Sequence, residues 1–145
     1  MKNEFLILIA DRNRHVRDFL RRELMEDGYR VQVAKDGREV QTIIDGENPP
    51  DLLILDLEVP YVSGYALLEK LQNRTPPLPV VIHTFLTEYN SQLNGRKIAT
   101  FVEKSGKTDC LKAAVMDMLK VFYPNRFAGD SSQNQRFMHC KKDEK

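Results

Sequence analysis

The stretch "DLLILDLEVPYVSGYALLEKL", residues 51–71, passes from one kind of order to another. Leu52, Leu53, Ile54 and Leu55 form a short apolar run without polar alternation, which predicts a strand covered on both faces. The run stops at a carboxylate, Asp56. Pro60 follows four residues on and Gly64 eight residues on, punctuating a loop; Leu67, Leu68 and Leu71 then recur at helical intervals, predicting a helix over 65–73. A buried strand, a loop and an amphipathic helix make the repeating unit of a parallel sheet.

The same alternation extends in both directions. Apolar runs at residues 5–10, 29–34, 79–83 and 100–103 predict four more strands. A helix over 15–27 turns Val16, Phe19, Leu20 and Leu24 to one side and is closed by Gly28. Another, over 37–45, follows Asp36 as N-cap and places Val40, Ile43 and Ile44 inward, until Pro49 and Pro50 forbid its continuation. The last starts from Thr108 as N-cap and carries Leu111, Val115, Met118, Leu119 and Phe122 as far as Pro124. Between the last two strands, "EYNSQLNGRKI", residues 88–98, has few apolar anchors and contains Gly95, so a helix there is expected to be short or irregular. The expected class is α/β: a doubly wound five-stranded parallel sheet over residues 1–124. Residues 125–145 lose periodicity and read as a polar tail with Phe127, Phe137 and Met138 as docking side chains.

Composition narrows the function classes. A formal net charge of +1 on 145 residues gives no global field toward nucleic acid or an anionic membrane. The longest apolar stretch, residues 5–10, falls far short of the ~20 residues of a membrane span, and no cleavable signal pattern precedes it, so a cytoplasmic location is expected. Cys110 and Cys140 read as free thiols. His15, His83 and His139 have no metal-ligand spacing to one another or to the cysteines. The charges of "RDFLRRELMED" lie at helical spacing and describe a solvated face.

Ligands of an open parallel sheet bind beyond the carboxyl ends of its strands. Those ends carry Asp11 and Arg12, Asp56, Thr84 and Lys104. Neighbouring carboxylates repel unless a proton or a divalent cation neutralises them, and hard oxygen ligands suit Mg2+. Carboxylates also form aspartyl-phosphate intermediates, for which Lys104 and Thr84 offer a cation and a hydroxyl to the transferred group. The set therefore points to phosphoryl acceptance.

In its strand ends and in the spacing of Asp56, Pro60 and Gly64, the chain from residue 5 to about 123 resembles a response-regulator receiver domain. The resemblance implies a flavodoxin-like receiver fold in which Asp56 is the phosphoacceptor, Thr84 follows the phosphoryl group and Lys104 is its cationic partner. It also implies Mg2+ held by Asp11, Asp56 and the backbone carbonyl of Glu58, with Asp11 acting through water. A sensor histidine kinase or phosphotransfer protein is then the donor and a downstream protein the receiver of the signal. Nucleic acid and membrane are not expected partners, the oligomeric state is open, a homodimer included, and no enzyme activity is implied beyond acceptance on its own aspartate.

Receivers usually end their first strand in two acids, and here the second position is Arg12. Its guanidinium has two courses: to pair with Asp56 in the metal's place, weakening or abolishing Mg2+ binding, or to turn to solvent or Glu58 and leave the ion a poorer site. Ser105 stands where the family has a proline after the lysine, Phe85 replaces a small residue after Thr84, and Phe101 matches the switch aromatic. The competing reading is a pseudo-receiver, an interaction module indifferent to phosphate. A flavodoxin-like small-molecule binder is disfavoured because "ADRNRHV" has no glycine to admit a phosphate against the backbone.

Overall fold

The computed structural model describes residues 4–85 and 98–127. Within them the order is β1 (Leu6–Ala10), α1 (Arg14–Glu26), β2 (Arg30–Ala34), α2 (Gly37–Ile44), β3 (Leu52–Leu55), α3 (Gly64–Asn73), β4 (Val80–Thr84), β5 (Ala99–Glu103), α4 (Asp109–Phe122) and a 3-10 turn (Pro124–Phe127). The strands form one sheet in the order β2-β1-β3-β4-β5, every pairing parallel, so the expected doubly wound α/β sheet is found.

Side chains alternate between two cores because successive residues of a strand point to opposite faces. Leu8, Leu53, Leu55, Val80 and Ile82 pack with Val40 and Ile44 of α2 and Leu67, Leu68 and Leu71 of α3. Ile7, Ile9, Leu52, Ile54 and Val81 pack on the other face with Leu20 and Leu24 of α1 and Leu111, Val115 and Leu119 of α4. The central strands β1, β3 and β4 are buried throughout, whereas β2, at the sheet's edge, is largely exposed.

Local chemistry sets the helix ends. Asn13 caps α1, its side-chain oxygen accepting from the amides of His15 and Val16. Asp36 caps α2 as expected, through the amides of Arg38 and Glu39. Thr108 occupies the N-cap position of α4 but makes no side-chain cap; its hydroxyl donates instead to Glu23 of α1 at 3.1 Å, beside the Lys112–Glu23 ion pair. Gly28, at φ 100°, takes the left-handed conformation that ends α1.

Gly37 opens α2 under the loop that leaves β3. A Cβ on it would lie 2.4 Å from Cβ of Val62, and its amide donates to the carbonyl of Pro60 at 3.0 Å. Gly37→Ala is expected to cost about 1–3 kcal/mol through overpacking. A lower urea midpoint with an unchanged slope would show it, and an unchanged midpoint would mean that the loop yields freely.

The turn at 124–127 packs at the amino-terminal ends of β1 and β3, away from the strand ends that carry Asp11 and Asp56. Phe127 stacks on Phe5 with ring centroids 5.5 Å apart, and Tyr123 lies 5.9 Å from the same ring. Arg126 sets its guanidinium 4.5 Å from that ring and pairs with Asp51 at 3.0 Å. Of the tail's three expected docking residues, Phe127 packs in this way; Phe137 and Met138 lie outside the described residues, as does nearly all of the segment 88–98. The free-thiol expectation fails at Cys110, whose sulfur is in a disulfide; Cys140 lies outside the described residues. Among the described residues no helix is long and apolar enough to cross a membrane.

Candidate functional site

Strand order reverses between β1 and β3, which are hydrogen-bonded neighbours although β2 lies between them in sequence. Register pairs Ala10 with Leu55 and Leu55 with Ile82, so β1 and β3 end level and β4 runs two residues further, to Thr84. The residue after β1 is Asp11 and the residue after β3 is Asp56; both are buried. The Asp56 amide donates to the Ala10 carbonyl at 2.9 Å, continuing the ladder to the site. Lys104 follows β5, and its amide donates to the carbonyl of Thr84 at 2.9 Å, joining the ends of β4 and β5.

The side chains converge there. The Lys104 ammonium stands 3.0 Å from Oδ2 of Asp11 and 3.6 Å from Oδ2 of Asp56, and only 7% of its side chain is exposed. Thr84 is fully buried at the end of β4. The arrangement thus brings together Asp11, Asp56 and Lys104, with Thr84 on the adjacent strand end. Ser105 after Lys104 does not keep the ammonium from the acids.

Arg12 takes both of its expected courses at once. Its backbone amide donates to Oδ2 of Asp56 at 3.2 Å, its Nε lies 3.4 Å from the same oxygen, and its Nη1 lies 3.7 Å from Oε1 of Glu58. A guanidinium has five donors in a plane and can bridge two carboxylates without leaving either. The contact with Asp56 is not the paired fork of a bidentate bridge, since one nitrogen of the side chain meets one oxygen.

Other residues hold the acids in place. Oδ1 of Asp56 accepts from the amide of Glu58 at 3.0 Å, and Oδ1 of Asp11 accepts from the amide of Asn13 at 2.9 Å. Arg17 reaches back from α1 to the carbonyl of Asp11 at 2.7 Å, a role unread in the sequence, where its charge was assigned to the solvated face. Burial pushes the Asp11 pKa up, and the nearby Asp56 charge adds to that, while the Asn13 amide and Lys104 oppose it.

The donor set bears on a divalent ion. Each carboxylate oxygen of Asp11 and Asp56 already faces an amide, an ammonium or a guanidinium. Among the described residues no group of three or more His, Cys, Asp or Glu side chains is placed to hold a metal. Two buried acids face two cations at these oxygens, Lys104 between them and Arg12 beside Asp56.

Phe85 is 47% exposed beside the site, with the Lys104 ammonium 5.2 Å from its ring centroid. Phe101 is half-buried and packs against the core on the α2 and α3 face. Tyr61 is 72% exposed in the loop after β3, at φ 74°, with the Arg38 guanidinium 3.7 Å above its ring. Sequence spacing gave no signal for this pair, because Arg38 stands in the first turn of α2 and Tyr61 in the loop after β3.

Comparison with known proteins gives a consistent result. The model of the response regulator receiver domain matches residues 7–116. Response regulator MprA of Mycolicibacterium vanbaalenii is 30% identical over 128 residues, covering 87% of this chain and 55% of that protein. MprA of Mycobacterium avium is 34% identical over 89 residues, covering 61% and 39%. The chain thus spans about half or less of the length of these relatives. Among solved structures, the response regulator TrrA of Thermotoga maritima in complex with Mg(2+)-BeF has 29% identity and a TM-score of 0.69, covering 79% of this chain and 99% of that one. TrrA in complex with the histidine kinase ThkA gives 30% identity and a TM-score of 0.67, covering 79% and 98%. With the family model matching more than half of its length and the acids at the strand-order reversal, this chain belongs to the response regulator receiver domain family.

Proposed function

We propose that this receiver accepts a phosphoryl group on Asp56 from a histidine kinase or a phosphotransfer protein and passes the signal on through protein contacts. The observation that carries the reading is the fully buried Asp56 carboxylate at the reversal point, with the Lys104 ammonium 3.6 Å away. A carboxylate oxygen of Asp56 attacks phosphorus, the phosphorus–nitrogen bond of a phosphohistidine breaks, and the imidazole nitrogen keeps the electron pair. Lys104 neutralises charge on the phosphoryl oxygens and the Thr84 hydroxyl donates to them. The kinase complex of TrrA supports the choice of donor, and a cytoplasmic location accords with it.

Mg2+, where bound, would be held by Asp11, Asp56 and the carbonyl of Glu58 and would supply positive charge to the transferred group. On this reading Arg12 weakens that binding, because a guanidinium beside Asp56 must first be displaced. The same contact favours a second reading, a pseudo-receiver that binds partners without being phosphorylated.

Intact mass after incubation with a small acyl phosphate separates the two. A single phosphoryl adduct on the native chain and none on Asp56→Asn is the expected result. A native chain that takes no adduct, from that donor or from a phosphorylated kinase, would leave the pseudo-receiver.

A further inference from the structure

Arg12 has a place in the site that weakened metal binding does not exhaust. Its main-chain amide donates to Oδ2 of the acceptor at 3.2 Å, and its Nε lies 3.4 Å from the same oxygen. Its ion-pair distances, 3.4 Å to Asp56 and 3.7 Å to Glu58, are longer than a close charged hydrogen bond of about 2.7–2.9 Å. The carboxylates it touches thus leave room for a better-fitting anion. Its side chain is 36% exposed, beside the fully buried Asp56.

Lys104 bounds the same Asp56 oxygen at 3.6 Å, so Oδ2 lies within reach of two cations, the buried Lys104 and the partly exposed Arg12. A phosphoryl group on Asp56 replaces one carboxylate charge with about two negative charges spread over three oxygens. Planar guanidinium donors match such oxygens in geometry as well as in charge. The half-exposed Glu58 can release Arg12 at small cost, since an ion pair in contact with water is worth little.

We infer that Arg12 and Lys104 form a two-cation clamp that holds a phosphoryl group, or a phosphoryl-like anion, on Asp56 without a divalent metal. This rests on the reading of Asp56 as acceptor. Arg12 turns from Glu58 to the incoming oxygens and is a binding residue for the group that arrives.

Beryllofluoride tests the clamp apart from any donor, since beryllium takes an Asp56 oxygen as its fourth ligand. Fluorine resonances of the bound anion and the shift of the thermal midpoint are read in buffer stripped of divalent ions, then with millimolar Mg2+ added. The native chain is expected to bind beryllofluoride in stripped buffer and to gain little from Mg2+. Arg12→Gln should lose about tenfold or more in metal-free affinity. Arg12→Lys should keep part of it, and Arg12→Asp should bind only when Mg2+ is supplied. A native chain that binds only with Mg2+, or an Arg12→Gln chain that binds as the native does in stripped buffer, overturns the clamp. Metal-free beryllofluoride binding by a chain that no donor phosphorylates would keep the clamp and remove the acceptor reading.

Discussion

Phe5→Ala is expected to lower the stability of the fold by about 3–5 kcal/mol, the range for deleting a buried aromatic ring. Phe5 is 1% exposed and is touched from the strand side by the core and from outside by the final turn. Phe127 is stacked on it, Tyr123 is tilted beside it, and Arg126 lies over its face. Losing the ring removes the shared surface of all three and leaves a void that parallel strands, held on both sides, cannot close. Urea unfolding would show a lower midpoint at constant slope. A loss under about 1 kcal/mol would mean that the turn moves in to refill the space.

The second large effect is one of pH. His83 is 5% exposed in β4, and its Nδ1 is buried without a hydrogen-bond partner among the described residues. Burial, and then the charge of Lys104, push its pKa from 6.5 down to about 4, with Asp56 opposing. Above pH 6.5 the imidazole is neutral in both folded and unfolded chains and costs nothing in protonation. As pH falls from 6.5 toward 4 the unfolded chain takes a proton that the folded chain refuses, so stability is lost across that window. At 1.36 kcal/mol per pKa unit the loss reaches about 3 kcal/mol. Asp11, with its pKa raised by burial, acts in the opposite sense at acid pH, but it does so in native and variant alike. Unfolding midpoints of native and His83→Met chains should therefore diverge as pH rises from 4 to 6.5, the native gaining more. Parallel curves would show that His83 is protonated in the folded state.

Much of this was legible in the sequence because parallel strands announce themselves. Leu52–Leu55 has no alternation since both of its faces are covered, and the Asp56 that ends it could only lie at the ligand edge. Gly28 and Asp36 read correctly because their roles are local. Thr108 read correctly as the N-cap position of α4 but not in its bonding, since a residue far away in sequence, Glu23, takes its hydroxyl. The exposure of β2 depends on strand order, which no local pattern carries. Arg12 was read as a choice between Asp56 and Glu58, and its geometry includes both because those acids lie two residues apart on one loop. The hold of Arg17 on the Asp11 carbonyl was hidden for a plainer reason: backbone acceptors have no letter in a sequence.

β3 is fastened differently at its middle and at its two ends. At its entry, Asp51 accepts from the amide of Leu6 and from Arg126, and its carbonyl accepts from the Tyr123 hydroxyl. At its exit, Asp56 is held by amides and cations, while the side chains of Leu52 to Leu55 between them meet only apolar surface, above and below a backbone bonded to β1 and β4. Polar fastenings can be exchanged for water or for another anion one at a time, but a close-packed apolar middle opens only as a whole. The molecule can therefore rearrange the charged end where an incoming group would land without melting the strand that supports it.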